Sequence, residues 1–185
     1  EELKLLADAV GMKGRLPQRI EAYDISTIQG YHTVASLVVF EDGQPKKDNY
    51  RKFRIKRPDG MPDDYASMKE VITRRLVGSL SRSAAFADLP DMFLIDGGKG
   101  QLNSAGRVVD AMTLSAGLAR IPVVSLAERD EEVFLRGESA PLALLRESKS
   151  LRLMQHMRDE AHRFAITYHR SLRGKRGITS ELTGV

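Results

Sequence analysis

Met92-Phe93-Leu94-Ile95-Asp96-Gly97-Gly98 tells more about the fold than any other stretch of the chain. Four apolar residues with no polar alternation read as a short strand buried on both faces, the habit of a central strand in a parallel sheet. The run stops on an acid and two glycines, and a helical period takes over at once. Leu102, Val108, Val109 and Met112 then line one side of a predicted helix. A second apolar run, Ile121 to Leu126, follows that helix. Strand, helix and strand in this order make a βαβ unit with parallel strands.

Upstream, the period is that of strands joined by tight turns. From Arg19, Ile20, Ala22 and Asp24 share one face while Tyr23 and Ile25 take the other. Gln29-Gly30 marks a turn, and Thr33 to Phe40 is apolar and β-branched. Asp42-Gly43, within Glu41 to Pro45, is a hairpin signal. A third strand over 49–56 places Tyr50, Lys52, Arg54 and Lys56 together, opposite Phe53 and Ile55. Pro62-Asp63-Asp64 offers an acidic start to a helix predicted over 63–78, with Tyr65, Met68, Val71, Ile72 and Leu76 at helical spacing. Glu132 to Leu135 and Leu142 to Leu145 read as a small peripheral ribbon.

The closing helix is predicted from about Lys149 to Arg173. Met154, Met157, Ala161, Phe164, Tyr168 and Leu172 form its apolar stripe, with Arg158, half-buried His162 and His169 on one shoulder. Asp159 and Arg163 face outward as an i,i+4 ion pair. Residues 1–18 are a lead-in with a short helical pattern around Leu3, Leu5 and Leu6. The whole is an α/β fold: a mixed five-stranded sheet, three antiparallel strands and then a parallel βαβα half, flanked by helices.

With 185 residues the chain suits one domain, and with no cysteine it has no disulfide framework, thiolate nucleophile or zinc ribbon. It shows no secretion-signal pattern, and no apolar run approaches the ~20 residues that span a bilayer. A cytoplasmic protein with no membrane partner is expected. Lys and Arg number 29 against 25 Asp and Glu, and the excess is clustered. Lys46, Lys47, Arg51, Lys52, Arg54, Lys56 and Arg57 crowd one stretch; Arg163, Arg170, Arg173, Lys175 and Arg176 load another. Such clusters are either solvated faces or a track for a polyanion such as nucleic acid.

Asp24 and Asp96 each read as the end of an apolar strand followed by turn residues. Ligands of open α/β sheets sit off the carboxyl ends of strands. On neighbouring strands about 4.8 Å apart, two ionised carboxylates repel unless a cation lies between them. Oxygen donors without cysteine favour a hard ion, Mg²⁺ or Mn²⁺. The plain alternative is that each aspartate caps its own turn. Of Asp63 and Asp64, one caps the helix and the other is left to face the sheet end. His162 brings an imidazole suited to proton transfer or ligation, or else packs as an ordinary helix histidine. The Gly97-Gly98-Lys99-Gly100-Gln101 loop lacks the Walker A spacing, yet its N–H groups and Lys99 suit a backbone phosphate. Neither a Gly-x-Ser-x-Gly elbow nor a His-Glu-x-x-His pair occurs, so serine hydrolase and zinc protease readings have no support.

Four segments together point further. Tyr23-Asp24-Ile25-Ser26 with Gln29-Gly30, Asp63-Asp64-Tyr65-Ala66, Leu94 to Leu102, and Arg158-Asp159-Glu160-Ala161-His162-Arg163-Phe164-Ala165 resemble the C-terminal endonuclease domain of UvrC. UvrC is the incision subunit of bacterial nucleotide excision repair, and the motifs stand in order across roughly residues 19–176. The resemblance implies an RNase H-like fold with Asp24, Asp64 and Asp96 as catalytic carboxylates. His162 then stands where related nucleases place a further acid, and Asp24, Asp96 and His162 hold the divalent metal. It implies cleavage of damaged double-stranded DNA on the 5′ side of a lesion that UvrB has located through other parts of the full-length protein. Lys99, Lys52, Arg54, Arg163, Arg170 and Arg173 would position phosphates without reading sequence. Residues 19–176 are then the nuclease domain, and 177–185 begin a linker towards a helix-hairpin-helix module. Two rivals stay open: another RNase H-like nuclease, such as a resolvase or RNA hydrolase, and a non-catalytic DNA-binding module.

Overall fold

The computed structural model describes residues 1–28, 32–55, 64–80 and 88–183, with side chains described for all of these except 27, 28, 32, 79, 80 and 168–183. The expected Gln29-Gly30 turn, Lys56, Arg57 and Asp63 lie outside the described residues.

Alternation drives the first half of the chain into antiparallel strands. β1 (Arg19–Ile28) and β2 (His32–Glu41) pair along their whole length, from Arg19 opposite Glu41 to Ile28 opposite His32. Asp42 and Gly43, both at positive φ, make the tight turn into the two-residue β3 (Gln44–Pro45). A 3₁₀ turn over Lys47–Asn49 delays the next strand, so β4 (Arg51–Ile55) starts later than its sequence pattern suggests. It pairs with Thr33 to Leu37 of β2.

Beyond α2 (Asp64–Leu80), β5 (Met92–Asp96) lies parallel to β1, with Ile20 opposite Met92 and Tyr23 opposite Ile95. α3 (Lys99–Ser115) leads to β6 (Val123–Ala127), parallel to β5. β7 (Glu132–Leu135) returns antiparallel on β6. The described residues thus form seven strands in the order β4 and β3, β2, β1, β5, β6, β7. The expected five become seven because the Asp-Gly turn carries the chain back onto β2, and because the first half of the peripheral ribbon joins the main sheet. Of its second half, only Leu142 bridges to Val133.

Two cores follow from the two faces. Tyr23, Leu37, Phe53, Phe93 and Ile95 pack against Met68, Val71, Ile72 and Leu76 of α2 and Leu102, Ala105 and Val109 of α3. Ile20, Ala22, Val38, Phe40, Met92 and Leu94 pack against Leu151, Met154, Met157 and Ala161 of α4 (Lys149–Thr183). Leu6 of α1 (Glu2–Val10) is fully buried in this second core, so the lead-in helix is packed against α4. α4 runs past Arg173, where it was expected to end. Its outward ion pair is also different: Arg163 takes Glu160 at 2.6 Å, one residue closer in sequence than expected, and Asp159 is held by Arg158 at 3.0 Å.

One polar network lies beneath α2. Glu21 and Arg75 are both completely buried, joined by Nε to Oε1 at 2.9 Å and Nη2 to Oε2 at 2.7 Å. The Tyr23 hydroxyl donates to Glu21 at 2.7 Å, and Arg75 also donates to the Asp88 carbonyl. Removing one partner of such a pair strands a buried charge. Arg75→Ala is therefore expected to lower unfolding free energy by about 3–5 kcal/mol, measured by urea denaturation. The double variant Glu21→Leu with Arg75→Met should lose clearly less than Arg75→Ala alone; an equal or larger loss would show that packing, not charge, accounts for the effect.

Candidate active site

The β1–β5 ladder ends at Tyr23 and Ile95, and the next step along both strands sets Asp24 beside Asp96. Both aspartates lie on the α4 face, the face of Ile20, Ala22, Met92 and Leu94. Asp24 was expected at a strand end, but β1 continues to Ile28, held there by β2 alone. What ends at Asp24 is the pairing with β5. The carboxylate thus sits where one strand outruns its neighbour.

Asp24 is only 5% exposed, and the neighbouring Asp96 acts on its carboxyl. Its Oδ2 is buried with no hydrogen-bond partner. α4 crosses above, and His162 Nδ1 comes to 3.6 Å from that same Oδ2, beyond hydrogen-bond range. The His162 side chain is 60% exposed, not half-buried as its place on the helix shoulder suggested, because it lies just past the edge of the apolar stripe.

Burial pushes the Asp24 carboxyl up from 3.8 to about 7, and the charge of Asp96 adds to this. Asp96 is raised as well, by burial first; Glu128 adds to it while Arg158 opposes it. Glu128 and Arg158 were not singled out by sequence reasoning as parts of the site. Glu128 follows directly on β6, much as Asp96 closes β5, which is the signal that points to it. Arg158 stands one helical turn before His162 and grips Glu131 through both terminal nitrogens at 2.6 and 3.1 Å.

The remaining expected residues are not brought to this pair. Asp64 opens α2 and is exposed, and among the described residues no hydrogen bond or ion pair joins it to Asp24 or Asp96. Lys99 turns towards the Ser139 carbonyl, with its ammonium 5.5 Å from the Phe134 ring centroid. Arg163 is engaged by Glu160. Lys52 lies over the Phe164 ring at 4.6 Å, and Arg54 is exposed on the same strand. The side chains of Arg170 and Arg173 lie outside the described residues. At Gly100, in the first turn of α3, a Cβ would sit 2.2 Å from the Tyr65 hydroxyl oxygen, so a side chain there would displace the exposed Tyr65 ring.

Among the described residues no three His, Cys, Asp or Glu side chains stand close enough to hold a metal ion, so Asp24, Asp96 and His162 do not form the expected closed set. Asp24 and Asp96 stand side by side on neighbouring strands instead, and the imidazole stands off on the solvent side. The pair itself still fits a hard divalent cation. Its donors are all oxygen, two acids lie on neighbouring strands, and one buried carboxylate oxygen has no partner.

Residues 7–166 match the family model of the UvrC RNase H endonuclease domain. The chain is 51% identical over 172 residues to UvrABC system protein C of Chlorobaculum tepidum, covering 93% of this chain and 26% of that protein. Against UvrABC system protein C of Treponema denticola it is 51% identical over 166 residues, covering 90% and 24%. It therefore spans about a quarter of the length of these curated relatives. Among solved structures, human ENDOV aligns with a TM-score of 0.43 at 14% identity, covering 89% of this chain and 97% of that one.

A carboxyl raised to about 7 binds its proton more tightly in the folded chain than in the unfolded one. Asp24 therefore destabilises the fold increasingly as pH rises from about 4 to about 7, and by a constant amount above that. Asp24→Asn removes this, so in EDTA at pH 8 it should be more stable than the parent by on the order of 2 kcal/mol. The gap should close towards pH 4. Thermal unfolding across that range checks this, and a gap independent of pH would contradict it.

Proposed function

The chain belongs to the UvrC RNase H endonuclease domain family, and on that footing we propose that it hydrolyses a phosphodiester of damaged double-stranded DNA on the 5′ side of the lesion. The observation that carries this reading is the pair of buried Asp24 and half-buried Asp96, side by side on neighbouring parallel strands, with one Asp24 oxygen unpartnered. We take this pair to hold a divalent cation, Mg²⁺ or Mn²⁺, with His162 beside it. Such a cation supplies Lewis-acid activation of water and offsets charge on the scissile phosphate.

The chain's own residues do the rest. Asp24 and Asp96 bind and orient, since both are fixed by the ladder. His162, largely in solvent and 3.6 Å from Asp24, is placed to carry a proton to or from a group at the mouth of the site. Asp24 stands opposite Ser36 on β2, and Ser36 stands opposite Lys52 on β4. Lys52 thus shares a rung and a face with Asp24 at a backbone separation of about 10 Å. With Arg54 two residues further on, it offers a phosphate contact indifferent to base identity. Lys99 and Arg163, already engaged within the protein, are weaker candidates for that role. The relatives' membership of a UvrABC system supports UvrB as a partner of the full-length protein.

In a full-length protein tested in the reconstituted UvrABC reaction, Asp24→Asn and Asp96→Asn should each reduce 5′ incision at least about 100-fold while sparing 3′ incision. Wild-type 5′ nicking by either variant would refute the assignment. His162→Phe should cost about 10-fold or more in rate with little change in Tm, since the ring is exposed. A collapse in Tm with activity per folded molecule intact would return His162 to a packing role. Lys52→Ala with Arg54→Ala should weaken DNA binding and flatten its dependence on salt; an unchanged slope would leave that face merely solvated.

A further inference from the structure

Ser36 lies at the centre of β2, fully buried, and its Oγ has no hydrogen-bond partner. It stands directly opposite Asp24 in the β1–β2 ladder. Opposed residues of an antiparallel pair share a face, with Cβ atoms about 4.5–5.5 Å apart. Two buried polar atoms, Ser36 Oγ and Asp24 Oδ2, are therefore neighbours without partners.

A buried hydroxyl with nothing to bond is costly. Where this sheet needs only a small side chain under a helix it uses alanine, as at Ala22 on the α4 face and Ala35 on the other. The other unpartnered serine hydroxyl on a strand, Ser125, pairs with Ile95 and Phe134 in the ladder and has no acid opposite. Ser36 alone of these faces a carboxylate oxygen that lacks a donor.

We infer that Ser36 is a positioning residue for Asp24. Its hydroxyl donates to Oδ2, directly after a rotation about χ1 or through one water, and so fixes which edge of the carboxylate is turned towards Asp96. A carboxylate oxygen accepts more than one interaction, so a hydroxyl and a cation can share it. Donors of this kind, one step removed from a ligand, hold the ligand in its binding orientation. The inference rests on the reading of Asp24 and Asp96 as a divalent-cation site.

The test is calorimetric titration of the chain with Mn²⁺, alongside its melting temperature in EDTA. Ser36→Ala is expected to weaken Mn²⁺ binding about ten-fold while leaving Tm unchanged or raised, since an unsatisfied hydroxyl has been removed. Ser36→Thr, which keeps a hydroxyl on the same carbon, is expected to bind within about three-fold of wild type. Wild-type affinity in Ser36→Ala overturns the inference. So does a marked fall in Tm accompanying the lost affinity, because the hydroxyl would then be holding the fold. A threonine variant that binds as poorly as the alanine one also overturns it. If the unaltered chain takes up no Mn²⁺, the cation site itself falls; if it binds and Ser36→Ala binds equally, only the role of Ser36 falls.

Discussion

Four residue pairs, from Ile20 opposite Met92 to Tyr23 opposite Ile95, lock β1 and β5 in parallel, and the position of the site follows from that register. Because side chains alternate, slipping either strand by one residue would send its aspartate to the α2 and α3 face and its apolar neighbours to the wrong core. The apolar residues on both sides of the sheet therefore enforce the placement of Asp24 beside Asp96. Burial of Ile20, Ala22, Met92 and Leu94 under α4 opposes the repulsion of two acids that would otherwise separate.

β1 carries two buried acids three residues apart, and their surroundings treat them in opposite ways. Glu21 faces α2, where Arg75, Arg19 and the Tyr23 hydroxyl all converge on it. Asp24 faces α4, where it lies beside another acid, Asp96, and one of its own oxygens has no donor. A fully compensated carboxylate has little to offer a ligand, since its lone pairs are already taken. An uncompensated one is held there only because the rest of the sheet supplies the stability. Glu21 is thus closed off within the scaffold while Asp24 keeps an oxygen open, though both come from one alternating strand.

Much of this was legible in the sequence, for reasons that differ by element. The runs Met92 to Ile95 and Ile121 to Leu126 could only be covered strands, and the Asp-Gly hairpin announced itself through its need for positive φ. The placement of Asp24 beside Asp96 was foreseeable once those strands were neighbours. Other features are tertiary and leave no local trace. Glu21 reads as the polar member of an alternating pair, and nothing near it in sequence names Arg75 as its partner. Arg163 prefers Glu160 to Asp159 because Glu160 also accepts from the Tyr50 hydroxyl at 2.9 Å, a contact between residues far apart in the chain. Asp64 shares a sequence segment with the family's acids, yet its exposed place at the start of α2 comes from packing that the segment does not encode.

α4 carries an exposed histidine side chain over a fixed pair of acids. Asp130 and Glu131, in the turn between β6 and β7, both adopt positive φ, a strain on the order of 1 kcal/mol for each non-glycine residue. The two-pronged grip of Arg158 on Glu131 offsets that strain and ties α4 to the corner of the sheet. Met157 just before Arg158 and Ala161 one turn on are wholly packed, which holds the helix in place. His162 then projects from a fixed backbone with most of its ring in solvent. Its Cα is as well placed as the aspartates, while its χ angles remain free to swing Nδ1 the short distance from 3.6 Å into bonding range.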